Sequence, residues 1–543
     1  MANTIDITFL GTSSAQPSTT RNHSSLGVRV NGTVWLFDAG EGTQRQLMYS
    51  TLKLGKVNKV FITHLHGDHI YGLPGLVCTL TAALNPQNHM DRNWDEEDTT
   101  KDPENTPCLE IYGPVGLRNY LRSALTFSYS RLPIYYRVHE LVLPEQESKE
   151  IEEGNTSPDK QNFLDMRERF SQQLKSDVLH PDELLGEDIQ PDDDGLFRDL
   201  LQIEKKYETS SDNKNSKKFK GDPVKDKICV HASYIKHSVP ALGYVLEEYG
   251  LEGNIRMELV KPALLRNKDS LVAQGITQPL SLIRELKRGK ILNLPDGTTL
   301  DPKDVITPTE KRKIVILGDT NNPSKIAPLA QNSTILIHEA TNMYEGSEKT
   351  QSDDINNENN LNASEQYRIK VISRGHSTPE MAGAFASQLN AQYLILNHFS
   401  SRYASLNHNA ILQPDWNDQN IKAEVERIYQ ESTVSSQSLP PQLPNNVSKR
   451  DLLSKKEKEL LQEVNEHGLT IDKQKIVNDW EVMEKIRNKA ASTFQPRSLD
   501  HIILADDYLQ VECNRQKVNS DTSSSVTTNS SIPVFRAWNH ELI

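Results

Sequence analysis

The stretch Val60–His69, "VFITHLHGDH", decides the reading of this chain, because it sets three histidines and an aspartate in the six positions after a short apolar run. Alternate residues His64 and His66 can face one metal ion, while Asp68 and His69 turn toward a second across the bend at Gly67. Imidazole and carboxylate donors without cysteine suit zinc and, less tightly, manganese. A lone histidine after a strand reads as an ordinary surface or core residue; this density does not. The same arrangement recurs more sparsely downstream. "KICVHASYIKH" ends at His237, "KIVILGDT" carries Asp319, "STILIHEA" carries His338 and Glu339, and "AQYLILNHFSSRY" carries His398, with His376 in "RGHSTPE". In layered α/β folds, sites collect where strand ends open onto loops, so these positions point to one shared site.

Composition bounds the rest. Of the 543 residues, 36% are hydrophobic, which is low for a compact chain of this length and implies solvated inserts around a core. No apolar run is long enough to span a membrane. Cys78, Cys108, Cys229 and Cys513 are far apart and form no CxxC pair, as in a reduced complement. The net charge of −13 is local: residues 145–214 carry −11 and residues 91–104 carry −5, so the remainder is mildly basic. Total charge therefore neither favours nor excludes RNA as a partner. The opening "MANTIDITFLGTSSAQPS" reads as a strand, not a secretory leader. Cytosol or nucleus is the expected compartment, and a mitochondrial fraction is also compatible with it.

Short apolar strands alternate with amphipathic helices, which predicts an α/β fold with sheets sandwiched between helices. One ordered domain is expected over 1–513. It carries an acidic, solvated and flexible insert at 145–226, a polar loop at 342–366 and a polar, partly helical insert at 411–480. A tail follows at 514–543. "DHIILADDYLQVEC" reads as a final strand pair, and no internal repeat is visible.

HxHxDH is the signature of the metallo-β-lactamase superfamily, and "THLHGDHIYGLPGL" with "FDAGEGTQRQL" resembles ribonuclease Z, the tRNA 3′-processing endonuclease, in its short form. "HSVPALGY", "ILGDT", "HEAT", "GHST" and "NHFSSRY" follow in that family's order, and "ILADDYLQVE" resembles its C-terminal end. The resemblance implies an αββα four-layer sandwich with two zinc ions, for which manganese is a possible substitute. His64, His66 and His237 would hold the first ion, Asp68, His69 and His398 the second, and Asp319 would bridge them. A shared hydroxide would then attack the phosphodiester of precursor tRNA, releasing the 3′ trailer and leaving a 3′-hydroxyl. Asp68 would also accept the nucleophile's proton, and His376, oriented by Glu339, would protonate the leaving oxygen. From the residues alone, His376 is equally a helix-start residue, and His338 stands open between shaping a loop and catalysis.

For RNA contacts, Arg21, Ser24, Ser25, Ser401 and Arg402 offer cation and hydroxyl donors to phosphates, although each also fits ordinary turn chemistry. The resemblance also implies a tRNA-binding arm at 250–310; Arg284, Lys287 and Arg288 make it basic, while the family's Gly-Pro-rich turn survives only as Gly275 and Pro279. "KPALLRN" partly resembles a PxKxRN loop, with Leu264 in place of its lysine. Short-form relatives form homodimers, so a homodimer is expected. Two other functions share these ligands: a phosphodiesterase or thioester hydrolase acting on a small molecule, and a metal-holding RNA-binding scaffold without activity.

Overall fold

The Val57–Phe61 strand that feeds the histidine motif is buried on both faces, with Val60 packing outward against helices and Phe61 inward against a second sheet. Its neighbour Thr33–Phe37 divides the same way, Val34 and Leu36 outward, Trp35 and Phe37 inward. This period of two, apolar on both sides, is what a sheet between two layers requires. Phe61 stacks between Phe37 and Tyr112, with ring centroids at 4.9 and 5.1 Å.

The protein is described by a computed structural model over residues 5–84, 106–144, 178–201, 228–249, 254–307, 311–345, 363–405, 473–513 and 534–536. The acidic run 91–104 and most of the expected inserts at 145–226, 342–366 and 411–480 lie outside the described residues. Among those described, no helix is long and apolar enough to cross a membrane.

The first sheet runs Val534–Arg536, Gln510–Cys513, Ile5–Gly11, Ser25–Val30, Thr33–Phe37, Val57–Phe61, Cys108–Pro114, Tyr135–Leu141 and Glu183–Leu184, and Asp188–Ile189 also pairs with Tyr135–Leu141. The second runs Leu196–Phe197, Ile228–Ile235, Ala241–Glu248, Lys313–Leu317, Ile335–Glu339, Tyr393–Asn397 and Ile502–Leu504. Each sheet has an antiparallel half and a parallel half, joined at Thr33–Phe37 in one and Lys313–Leu317 in the other. The inner faces of both sheets form one core. Helices Thr43–Tyr49, Leu73–Leu84 and Leu117–Phe127 cover the outside of the first sheet; Pro379–Gln388 and Lys473–Thr493 cover the second. The expected four αββα layers are present.

Three expectations change. Residues 178–201, read as solvated insert from their acidity, are built into the fold and link the two sheets. Two of their acids are buried because they are paired: Glu183 takes both ends of the Arg122 fork at 2.7 Å, and Asp182 accepts the Leu132 N–H at 2.7 Å, while Asp188, Asp192, Asp193 and Asp194 stay exposed. The final strands do not pair with each other, since Ile502–Leu504 joins the second sheet and Gln510–Cys513 the first, with Ala505–Leu509 crossing between them. Within the 514–543 tail, Val534–Arg536 returns to extend the first sheet. Finally, "KPALLRN" is mostly helix Met257–Arg266 rather than a loop, and Leu264 is fully buried among Val260, Leu271 and Leu286. That cluster is the separate core of residues 254–307, whose two ends are pinned together by the Asn254–Ile255 and Ile306–Thr307 strands.

Candidate active site

The strand-end residues converge. After Val57–Phe61 the chain leaves the sheet, and His64, His66 and His237 gather around one oxygen of Asp319, while Asp68, His69 and His398 gather around its other oxygen. Asp319 Oδ2 lies 3.7 Å from His64 Nε2 and 3.9 Å from His237 Nε2; Oδ1 lies 3.5 Å from His69 Nε2 and 3.3 Å from His398 Nε2. Within the groups, His66 Nδ1 is 3.1 Å from His64 and 3.3 Å from His237, His69 is 3.2 Å from His398, and Asp68 Oδ2 is 3.4 Å from His398. Donors about 2.0–2.1 Å from a tetrahedral zinc lie roughly 3.3–3.4 Å from one another, so both groups fit that ion.

Outer partners orient four of these rings. His69 Nδ1 faces Asp38 Oδ2 at 2.7 Å, and His237 Nδ1 donates to the Gly375 carbonyl at 2.7 Å. His64 Nδ1 meets Thr63 Oγ1 at 3.0 Å, whose hydroxyl donates to Asp38 at 2.8 Å. His398 Nδ1 meets Thr341 Oγ1 at 3.1 Å, and that hydroxyl donates to Glu339. Each Nδ1 is thereby occupied and each Nε2 turned to the centre, as metal-binding histidines require. Gly375 has to be glycine: its φ is +85° and a Cβ would sit 2.6 Å from His237 Nδ1.

Electrostatics agree with a cation site. Burial, with the crowding of neighbouring rings, holds His64 well below its ordinary pKa, lowers His66 to about 4 and lowers His237, so these are neutral donors. Asp319 stays ionised against its burial because His398, His69 and His64 surround it. His69 is raised despite burial because Asp319, Asp38 and Asp68 all face it. Among the described residues, the ion-pair partners of these carboxylates are histidines, which leaves a negative surplus that divalent cations would offset.

His376 sits beside both groups and makes a third cluster with Asp319 and His398, its Nδ1 3.8 Å from Asp319 Oδ2. Its Nδ1 is 3.1 and 3.2 Å from the two oxygens of Glu339, and its ring stacks 5.8 Å from that of His398. Burial works against its charge, but Glu339, with Asp319 and Asp68, raises its pKa to about 9. Thr378 makes no side-chain cap on the following helix, and Ser377 donates to the Thr320 carbonyl instead. His338 does not join the site: it is fully buried, and its Nδ1 bonds the Glu339 carbonyl.

The expected RNA contacts separate into two sets. Arg21 is withdrawn from solvent, its side chain 1% exposed, because its guanidinium is consumed by the carbonyls of Tyr403, Ala404 and Ala505, by Thr12 and by Asp506. Ser24 and Ser25 are buried too, and Ser25 donates to the Asp38 carbonyl. These three are structural. Ser401, Arg402, Arg284, Lys287 and Arg288 remain at the surface, although Arg402 leans on Tyr403 and bonds Tyr367, and Arg288 pairs with Glu285. The sequence reading missed Asp38, Thr63 and Thr341. All three stand inside the quoted motifs, Asp38 in "FDAGEG", Thr63 opening "THLHGDH" and Thr341 closing "HEAT", and Asp38 also follows the apolar strand "TVWLF" as Asp319 follows "KIVIL".

The family model described as anti-Pycsar protein Apyc1 matches residues 5–90. Zinc phosphodiesterase ELAC protein 1 of Bos taurus is 34% identical over 402 residues, 74% of this chain and 87% of that protein. Ribonuclease Z of Streptococcus agalactiae is 30% identical over 404 residues, 74% of this chain and 90% of its own length. Among solved structures, human tRNase Z, short form, covers 73% of this chain and 93% of that one at 27% identity, with a TM-score of 0.41. At such identity over most of both sequences, the protein belongs to the ribonuclease Z family of metallo-β-lactamase-fold endoribonucleases.

Proposed function

We propose that the protein removes the 3′ trailer from precursor tRNA by hydrolysing one phosphodiester, leaving a 3′-hydroxyl on the tRNA. The observation that carries this reading is Asp319, whose two oxygens each face one complete set of zinc-type donors. His64, His66 and His237 would hold one zinc, Asp68, His69 and His398 the other, and manganese would substitute. Bound there, the ions would supply Lewis acidity that activates water and offsets charge on the phosphate oxygens.

The chain's own groups then handle protons. Asp68 Oδ2 is fixed by the Ala15 N–H at 2.7 Å, which leaves Oδ1 to accept the proton of attacking water. His376, its Nδ1 held by Glu339, carries the proton on Nε2 and delivers it to the departing 3′-oxygen of the ribose. Glu339 itself is held by the Thr320 N–H at 2.6 Å and by Thr341, so the acid is set before substrate arrives. Arg284, Lys287 and Arg288 on the 254–307 lobe, with Ser401 and Arg402, would meet tRNA phosphates, and the expected assembly is a homodimer.

Cleavage of a precursor tRNA is to be compared with that of a small nitrophenyl phosphodiester. The expected result is a single cut after the discriminator base, with kcat/KM far above that for the small ester. Equal efficiency on both would favour the small-molecule phosphodiesterase instead.

A further inference from the structure

Asp507 lies in the crossing between the two sheets and touches none of the proposed metal ligands. It is nonetheless the point where a loop that does touch them is tied at both ends. Its Oδ1 accepts from Thr12 Oγ1 at 2.7 Å, and its Oδ2 from the Asn22 N–H at 2.7 Å and from Gln46 Nε2 at 3.1 Å. Between those ends, the Ala15 N–H donates to Asp68 Oδ2, and Ser13–Ser14 pairs in parallel with Phe399–Ser400, immediately after His398. The Phe399 N–H also donates to the Thr12 carbonyl at 2.9 Å. Asp68 and His398, 330 positions apart in sequence, are thus spaced by one short loop.

Ala15 in this loop and His398 beside it both have φ +58°, a left-handed region uncommon for residues other than glycine. Buried Arg21 adds a second tie, joining Thr12 Oγ1 to Asp506 and to the Tyr403 and Ala404 carbonyls.

Resting on the metal-site reading above, we propose that Asp507 is a positioning residue: through the Thr12–Asn22 loop it sets the separation of Asp68 and His398 and so the affinity of the second metal position. Removing its acceptors leaves Thr12 Oγ1 held by Arg21 alone and the Asn22 N–H without its carboxylate, so the loop between them loosens, the Ala15 N–H shifts from Asp68, and the Asp68 carboxylate can rotate away from His398.

The test uses the full chain and four variants: Asp507→Leu, similar in shape without acceptors; Asp507→Asn, which keeps an oxygen for Asn22; Thr12→Val; and Thr12→Ser. Zinc retention against a competing chelator, thermal unfolding, and kcat and KM on precursor tRNA are measured for each. Asp507→Leu and Thr12→Val are expected to weaken one of two zinc ions by about tenfold and to lower kcat while KM stays within about twofold. Asp507→Asn and Thr12→Ser should stay within about threefold of the unaltered protein. Folded Asp507→Leu or Thr12→Val with unchanged zinc retention would overturn the proposal, even with a lowered Tm, because that is a purely structural role. Should Asp507→Leu fail to fold, Asp507→Ala takes its place, because Thr12→Val also removes an acceptor from Arg21. Unaltered protein that retains no zinc would instead remove the metal-site reading, and this inference with it.

Discussion

Asp38 and Glu339 make the instructive comparison, because each sheet contributes one buried carboxylate that governs two histidines, one directly and one through a threonine. Asp38 takes His69 directly and His64 through Thr63; Glu339 takes His376 directly and His398 through Thr341. The halves differ in what those histidines do. Both histidines of Asp38 lie in the ligand groups and are closed to solvent, His64 and His69 being 0% and 1% exposed. Of the Glu339 pair, His398 belongs to two of the donor groups, whereas His376, its side chain 19% exposed, belongs only to the one it forms with Asp319 and His398. On the proposed reading, Asp38 would orient metal-holding rings alone, whereas Glu339 would divide its hydrogen bonds between a metal-holding ring and a proton donor.

The largest effect should come from removing what the halves share. Asp319→Ala withdraws an oxygen from each donor group at once, so pre-tRNA cleavage is expected to fall by about 10³-fold or more, with zinc below one ion per chain by elemental analysis. Retention of a full zinc complement would break the bridging assignment. Next in size is His376→Ala, which should lower kcat by about 10²–10⁴-fold while zinc content is unchanged. Loss of metal in that variant would place His376 among the ligands and erase the difference between the halves.

The comparison sharpens with an isosteric pair. Asp38→Asn should weaken zinc binding by about 10–100-fold, whereas Glu339→Gln should lower kcat with a smaller change in zinc affinity. Indistinguishable zinc titrations for the two would mean that both carboxylates serve the same purpose. The smallest effect belongs to the lobe. Lys287→Ala should raise KM for tRNA a few-fold, reduce the slope of log KM against log salt by about one, and leave the small ester untouched.

Much of this site was legible before any coordinates, for a physical reason. Ionisable residues directly after an apolar strand have few structural excuses, and "HLHGDH", "GDT", "HEAT" and "NHF" all carry them. Asp38 escaped because one aspartate at a strand end has no neighbouring donors in sequence to mark it. Arg21 misled for the opposite reason: a cation in a Ser/Thr/Asn loop reads as surface, while the carbonyls that bury it come from positions more than 380 residues away. The strap 178–201 was hidden by its own acidity, since pairing of Glu183 with Arg122 cannot be seen from composition. The division of each sheet into an antiparallel and a parallel half is likewise absent from the sequence, because hydrogen-bonded strand order leaves no repeat of side chains.

The central claim is that two cations share Asp319 and that cleavage depends on them. Zinc per chain, measured by elemental analysis on protein of known specific activity before and after chelation, tests it most directly. The account predicts two zinc ions per chain, loss of pre-tRNA cleavage as they are removed, and recovery when zinc is returned. Undiminished cleavage by protein holding no transition metal would contradict it.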